Sequence, residues 1–287
     1  MKRNIQLLII DPQNDFCDLP ADWRPIDPVT GHVTSPALPV AGAHADMLRL
    51  AKLIREGASG LSAIGVTLDS HHRLHIAHPT FWKTGAGEAV EPFTPITAAQ
   101  VRHGDYAPKD LSMLPRALAY MDELERRGRY TLMVWPVHCE IGSWGHNVHP
   151  AVKAAYNLWE DSRLAMVQKI SKGSNPWTEH YSAMQAEVPD EDDPATQLNR
   201  VLIASLDRAD QIVIAGEASS HCVKATTEHI VDKLPSGRSH KVVLLTDCMS
   251  PVGGFEAQHQ AFLDDMASRG VVLSTGAEIL ATLVSNA

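Results

Sequence analysis

The sequence predicts an α/β protein: a doubly wound, mostly parallel six-stranded sheet with helices on both faces. Three observations carry this. Short aliphatic runs such as QLLII at 6–10 and QIVIA at 211–215 have the continuous apolar character of strands buried on both sides. They alternate with segments of helical periodicity, the order that builds parallel sheets through crossover helices. No internal repeat and no clear linker interrupts the alternation. The 287 residues are therefore read as one domain, 1–287, with insertions near 20–39, 83–108 and 175–197.

The strand at 6–10 ends on Asp11, and Pro12 opens a loop, DPQNDFC. A helix follows the first insertion, with Met47, Leu50, Ala51 and Ile54 on one face and a stop at Gly57. The second strand, 61–68, is closed by Asp69, and a His-rich run carrying His71, His72, His75 and His78 comes next. Residues 83–108 lack a pattern and read as a long excursion that covers a site or meets a neighbouring subunit. Residues 111–127 read as helix, and 130–134 as a third strand that delivers Trp135 and His138. A fourth strand is expected at 164–170, ahead of Ser171-Lys172-Gly173. Residues 175–197, with Pro and the acidic run PDEDD, read as an exposed loop leading into a helix at 196–206. The strand at 211–215 turns at Gly216 into a helix from about Cys222, where Val223, Ile230 and Leu234 share a face. Strands at 241–246 and 271–274 bracket a helix at 255–269, and a short helix ends the chain.

Composition narrows the function. The chain is 44% apolar and 21% charged, enough for a sizeable core. Lys and Arg number 25 against 34 acids, a formal charge of −9, which argues against nucleic-acid or anionic-membrane partners. No apolar run has membrane-spanning length, and the start runs straight into a strand instead of a signal peptide. The four cysteines (17, 139, 222 and 248) show no CxxC spacing, so neither a disulfide framework nor a thiolate zinc knot is expected. A reducing cytoplasm is the expected compartment.

The chemistry-bearing residues fall at strand ends. Open α/β sheets bind ligands at the carboxyl edge. Asp11, the Asp69–His71 pair, His138 and Cys222 all belong there. Asp-x-His places two ligand atoms on one side of an extended segment, an O/N pair that suits Zn²⁺, Fe²⁺ or Mn²⁺. Cys222 sits where a strand becomes a helix, beside free backbone N–H groups and a positive helix end, which should lower its thiol pKa. Each feature has an ordinary reading too. Asp11 would cap a turn, the His run would be a polar surface loop, Lys172 a solvated charge and Cys222 a small buried thiol.

Five motifs taken together resemble the isochorismatase-like cysteine hydrolases, and within them the nicotinamidases. They are DPQNDFC (11–17), DSH (69–71) with IAHPTFW behind it, WPVHCEIGSWG (135–145), SKG (171–173) and GEASSHCV (216–223), in the family's order. The resemblance implies the isochorismatase-like hydrolase fold and a triad in which Cys222 is the nucleophile, Asp11 its base and Lys172 the group that orients them and favours the thiolate. It implies an oxyanion hole from the backbone N–H groups of Ala218 and Cys222, shaped by a cis Glu217–Ala218 bond. It implies one divalent ion, Zn²⁺ first, with Mn²⁺ or Fe²⁺ as alternatives, on Asp69, His71 and His138; His75 and His78 are both open as a fourth ligand. Phe16 and Trp135 match aromatic positions that flank a substrate ring.

The expected activity is hydrolysis of nicotinamide to nicotinate and ammonia through a thioester. The partner is thus a small-molecule amide, and assembly is expected to be homo-oligomeric. The segment Ser219-Ser220-His221 departs from the Thr-Asp-Tyr common in nicotinamidases. Two alternatives stand beside this reading. One keeps the triad for another amide, a ureido or carbamoyl compound or a different N-heterocyclic carboxamide. The other is a non-enzymatic thiol sensor or metal-binding protein, which leaves Asp11 and Lys172 without a role. Ammonia release separates the enzymes from the sensor.

Overall fold

The computed structural model describes residues 2–287. The first half of the chain builds β1 (Ile5–Ile10), α1 (Ala43–Gly57) and β2 (Ala63–Asp69). An excursion then supplies β3 (Trp82–Thr84), β4 (Thr94–Ile96), α2 (Ala98–His103) and β5 (Tyr106–Pro108). Next come α3 (Leu114–Arg127), β6 (Leu132–Val134), α4 (Pro150–Arg163) and β7 (Gln168–Lys172). The second half alternates regularly: α5 (Arg200–Asp207), β8 (Gln211–Gly216), α6 (Cys222–Lys233), β9 (Val242–Leu245), α7 (Glu256–Ser268), β10 (Val272–Ser274) and α8 (Gly276–Ser285). Among the described residues, no helix is long and apolar enough to cross a membrane.

Six strands form one parallel sheet in the order β10-β9-β8-β1-β2-β7. Counted along the chain this is 3-2-1-4-5-6 read from the β7 edge, the doubly wound arrangement whose direction reverses between β1 and β8. Right-handed crossovers running opposite ways from that point place helices on opposite faces. Accordingly α1 packs with α4 and α8, and α6 packs with α7. The central strands are apolar and enclosed, with Ile5, Leu7–Ile10 and Ile212–Ala215 all buried. Register fixes what meets at the carboxyl edge. Ile10 lies opposite Gly216, and Asp69 lies opposite Lys172. Gly216 has φ +123°, and a Cβ there would fall 2.0 Å from the Ile10 carbonyl oxygen, so this crossing admits only glycine.

Four elements differ from the sequence expectation. The strand expected at 130–134 forms only over Leu132–Val134 and stays outside the main sheet, pairing antiparallel with β4. The excursion at 83–108 supplies that partner, and Trp135 N–H is taken up by the Ala77 carbonyl at 2.8 Å, so the strand docks on the segment after β2. The strand expected at 164–170 begins later. Helix α4, absent from the sequence reading, runs to Arg163, and Leu164 and Met166 belong to the exposed connection. The signal for α4 was present: Pro150 at its start, and Val152, Ala155, Tyr156 and Trp159 along one buried stripe. The helix expected at 196–206 starts at Arg200, capped by the Asn199 side chain.

The segment 175–197 is an exposed loop only in its last part, where Glu191, Asp192, Pro194 and Ala195 are exposed. Thr178–Met184 is buried throughout, as are Ala186 and Glu187. Two of its acids, Asp190 and Asp193, bond back onto the segment: Asn175 Nδ2 donates to both at 3.0 Å, and Thr196 Oγ1 accepts from Asp190 N–H at 2.8 Å. These internal bonds let a polar stretch serve as a wall. Within it, burial pushes the Glu187 carboxyl from 4.5 up to about 7, against the opposing pull of Arg129, 3.2 Å away. A carboxyl raised on folding stabilises the fold at low pH, and that contribution is lost as pH rises from 4.5 through about 7. The expected result is a fall in Tm between pH 5 and pH 8 that is shallower in Glu187→Gln; equal slopes in a thermal-melt series would exclude this assignment.

Candidate active site

The motif residues converge at the carboxyl edge of the sheet, beside the reversal point. Asp11 leaves β1 with φ +41°, a left-handed conformation that Asp tolerates better than most residues. Thr67 on the neighbouring β2 fixes it twice: Asp11 N–H donates to Thr67 Oγ1 at 3.0 Å, and that hydroxyl donates to Asp11 Oδ1 at 2.5 Å. The rest of the motif ties the edge together. Gln13 clamps the Asp69 backbone through two hydrogen bonds of 2.7 Å. The Asp15 carboxylate accepts the Cys139 N–H at 2.7 Å and so positions the loop that carries His138.

Lys172 is only 3% exposed. Its ammonium meets Asp11 Oδ2 at 2.9 Å, Asp69 Oδ1 at 3.0 Å and the His180 carbonyl at 3.0 Å, with Cys222 Sγ at 3.6 Å. Its three protons are directed at Asp69, the His180 carbonyl and, over the longest distance, the thiol, while Asp11 is held as an ion pair. Burial opposes the charge on Lys172, but the two carboxylates prevail and hold its pKa well above the ordinary lysine value. The structure thus brings Asp11, Lys172 and Cys222 into one buried group.

The expectation of a lowered Cys222 pKa is corrected. Burial pushes the thiol well above its ordinary value; Lys172 opposes this, while Asp11 and Asp69 reinforce it. The helix start and the lysine were visible in the sequence, whereas the depth of burial and the second carboxylate were not. Burial likewise raises Asp11, with Lys172 pulling the other way, which leaves a carboxylate that is a stronger base than an exposed one.

Asp69, His71 and His138 place one ligand atom each within 4.8 Å of one another, and His71, His75 and His78 form a second such triplet. Asp69 Oδ2 lies 3.0 Å from His71 Nε2 and 3.4 Å from His138 Nε2. The outer nitrogens decide what these edges carry. His71 Nδ1 lies 3.0 Å from the Gly173 carbonyl and His138 Nδ1 lies 2.7 Å from the Pro136 carbonyl, so each donates its Nδ1–H there. Both Nε2 lone pairs then face the Asp69 carboxylate, an arrangement of acceptors that a divalent cation would satisfy. The residues present therefore fit a metal.

The same reasoning separates the two open candidates. His75 Nδ1 accepts the Ala77 N–H at 3.1 Å, so its inner Nε2 carries the proton and offers no lone pair. His78 Nδ1 faces the Arg73 carbonyl at 3.4 Å, leaving Nε2 buried, unpartnered and free to ligate. Gly173 completes the cradle: with φ +83°, a Cβ there would sit 2.8 Å from His71 Cε1 and 2.9 Å from Asp69 Oδ1.

Cys222 and the metal candidates Asp69 and His138 face one narrow cleft with about 20 Å³ of free space, about the room a single water takes. Cys222, Asp69, His138 and Ala218 line it, with Phe16 and Trp135 among the aromatic walls. The Glu217–Ala218 peptide bond is cis, and the Ala218 carbonyl receives the N–H groups of His221 and Val223 at 3.1 Å. The N–H groups of Ala218 and Cys222 donate to no acceptor among the described residues. Five lining residues were missed by the sequence reading: the apolar Leu38 and Val252, and Glu179, Tyr181 and His221. Glu179, 5% exposed, receives a single hydrogen bond on its carboxylate, from its neighbour His180 N–H at 3.0 Å. His221 carried a signal, since it stands in the segment that departs from the nicotinamidase pattern; Glu179 and Tyr181 sat inside the supposed loop.

No family profile and no curated relative matches the sequence. Solved structures do match. A nicotinamidase/pyrazinamidase from Acinetobacter baumanii is 18% identical over 96% of this chain and 98% of its own, with a TM-score of 0.61. A pyrazinamidase from Pyrococcus horikoshii, solved in complex with zinc, is 18% identical over 95% of this chain and 99% of its own, with a TM-score of 0.51. An isochorismatase-like hydrolase from Alkaliphilus metalliredigens is 15% identical, covers 97% of this chain and 98% of its own, and gives a TM-score of 0.50. With the parallel sheet, its reversal point and nearly the full length of the chain in common, this protein has the isochorismatase-like hydrolase fold, and nicotinamidases are among the structures most similar to it.

Proposed function

We propose that the protein is a metal-containing cysteine amidohydrolase that releases ammonia from an N-heterocyclic carboxamide, nicotinamide being the first substrate to test. One observation carries the reading: a buried Asp11–Lys172–Cys222 group shares Asp69 with a carboxylate–histidine cluster in a single cleft. A thiol sensor needs no such coupling.

The chain's own groups supply the acyl chemistry. The Cys222 thiol gives its proton to Asp11 as sulfur attacks the amide carbon, so the neutral resting thiol is no obstacle. Charge develops on the former carbonyl oxygen, where the unpartnered N–H groups of Ala218 and Cys222 can receive it. Asp11 then returns the proton to the amide nitrogen, the C–N bond breaks, and ammonia leaves a thioester on Cys222. Water attacks that thioester, giving its proton to Asp11, and the carboxylate product and free thiol are restored. Lys172 stays charged throughout and holds Asp11 in register. A divalent ion bound by Asp69, His71 and His138, with His78 available as a fourth ligand, would anchor a ring nitrogen and set the carboxamide over the thiol. Phe16 and Trp135 would flank the ring.

The test is an ammonia-release screen of the purified protein over nicotinamide, pyrazinamide, benzamide and a carbamoyl amino acid. Turnover of the two ring-nitrogen amides far above benzamide is expected. Preference for the carbamoyl compound would reassign the substrate while leaving the triad in place.

A further inference from the structure

Beside the catalytic cleft lies a second cavity of about 260 Å³, which the hydrolytic chemistry does not use. Trp135, Tyr181 and His221 line both spaces. The His221 ring centroid is 5.1 Å from that of Trp135, 5.4 Å from Tyr181 and 4.6 Å from Phe255, so an aromatic partition joins the two. Arg129, Tyr130 and Lys224 line the outer cavity alone.

The polar edges of these rings are donors without acceptors. Ser220 Oγ accepts the Val252 N–H at 3.1 Å and shares a hydrogen bond of 2.9 Å with His221 Nδ1. His221 Nε2 has no hydrogen-bond partner among the described residues. The Tyr181 hydroxyl accepts Trp135 Nε1–H at 2.9 Å, and its own proton likewise finds no acceptor among the described residues. The Tyr130 hydroxyl is buried with no partner among the described residues. Buried donors of this kind are ordinarily paired.

Charge points the same way. Lys224 and Arg129 both lie over the Tyr130 ring, at 5.5 and 5.4 Å. Their carboxylate partners are Glu228, which both share at 2.8 and 2.7 Å, and Glu187, which Arg129 meets at 3.2 Å. Neither carboxylate lines the cavity, and none of its lining residues is acidic. An occupant therefore meets cations, N–H and O–H donors, and aromatic faces. A purely apolar arm would leave every donor idle, and a cationic one would oppose Arg129 and Lys224.

We infer that the outer cavity is a distal subsite for an anionic, acceptor-bearing arm of the substrate, whose carboxamide end reaches Cys222. This rests on the amidohydrolase reading for the reacting end. It makes the substrate class an N-heterocyclic carboxamide extended by a carboxylate-like group, larger than nicotinamide itself.

Three probes decide it: nicotinamide, nicotinamide carrying a glycine on ring carbon 5 or 6, and the methyl ester of that glycine conjugate. Binding to the Cys222→Ala protein is measured by calorimetry, and ammonia release is measured with the intact enzyme. The free-acid conjugate at one of the two ring positions is expected to bind at least about tenfold tighter than nicotinamide and than the ester. Lys224→Gln and Tyr181→Phe should each lower that preference severalfold, read as the affinity ratio of acid to ester. Equal affinities for acid and ester at both positions, or a ratio untouched by Lys224→Gln, would overturn the subsite. Charge-dependent binding without ammonia from any probe would keep the subsite and sink the amidase reading. Ammonia from all three with equal affinities would do the reverse.

Discussion

Replacing Cys222 by alanine is expected to lower ammonia release from nicotinamide by at least about a thousandfold, with the thermal melting temperature little changed. No other group in the cleft can form the acyl-enzyme, so the residual rate is that of bound water and oriented amide. The fold survives because the sulfur is the weakest of Lys172's neighbours. At 3.6 Å it can be lost while Asp11, Asp69 and the His180 carbonyl continue to hold the ammonium. Lys172→Ala should behave differently. It leaves two buried carboxylates without their cation, a loss of about 3–5 kcal/mol for broken buried pairs, so activity and stability fall together. Asp11→Asn keeps the shape but cannot take the thiol proton, and should approach Cys222→Ala in rate. Combined with it, the loss should be far from additive. A Cys222→Ala protein retaining more than a few per cent of activity would remove the thioester mechanism.

The contrast between Cys222 and Lys172 also shows what the chain discloses before it folds. Asp11, Asp69 and Cys222 are legible because each lies at the end of a short apolar strand, and local pattern is enough to place such ends on one edge of a parallel sheet. Lys172 is not legible in that way. A lysine after a strand is ordinarily solvated, and only the register of Asp69 against Lys172 across β2 and β7 sinks it between two carboxylates. The segment 175–197 was obscured by its composition, since proline and acids suggest exposure. The acids do mark its exposed end, with Asp190 and Asp193 held by Asn175, Thr196 and Arg116, but Glu179 and Tyr181 earlier in the segment line the cleft. The same limit applies to β6. Its apolar run announces a strand, but the partner, β4, lies in an excursion without periodicity. Local chemistry was therefore visible, and long-range neutralisation of charge was not. The Cys222 pKa was misjudged because the depth of its burial, the largest influence on the thiol, was equally hidden.

The second large effect is expected on removing the metal, and it bears on the substrate class. Chelation should abolish activity toward ring-nitrogen carboxamides, and Zn²⁺, Mn²⁺ or Fe²⁺ should restore it, with one ion per chain by elemental analysis. The expectation rests on the direction of the imidazole lone pairs. His71 and His138 spend their Nδ1–H groups on the carbonyls of Gly173 and Pro136, so both Nε2 atoms confront Asp69. His138→Ala removes one of these ligands and one wall of the cleft without touching the sheet core. It should weaken metal affinity by more than the roughly 10–100-fold typical of outer-shell changes, and raise KM with it, while the melting temperature of the metal-free protein stays close to that of the metal-free wild type. His78→Ala should weaken metal binding more than His75→Ala, because only His78 presents a free lone pair inward. Asp69→Asn is the harsher change, since Asp69 also holds Lys172 at 3.0 Å, and should lose the triad's activity even with metal in excess. A protein that hydrolyses amides at full rate after exhaustive chelation would break the link between this cluster and the thiol. The carboxamide would then have to be positioned by Phe16, Trp135 and Glu179 alone, and an amide without a ring nitrogen would become the better candidate.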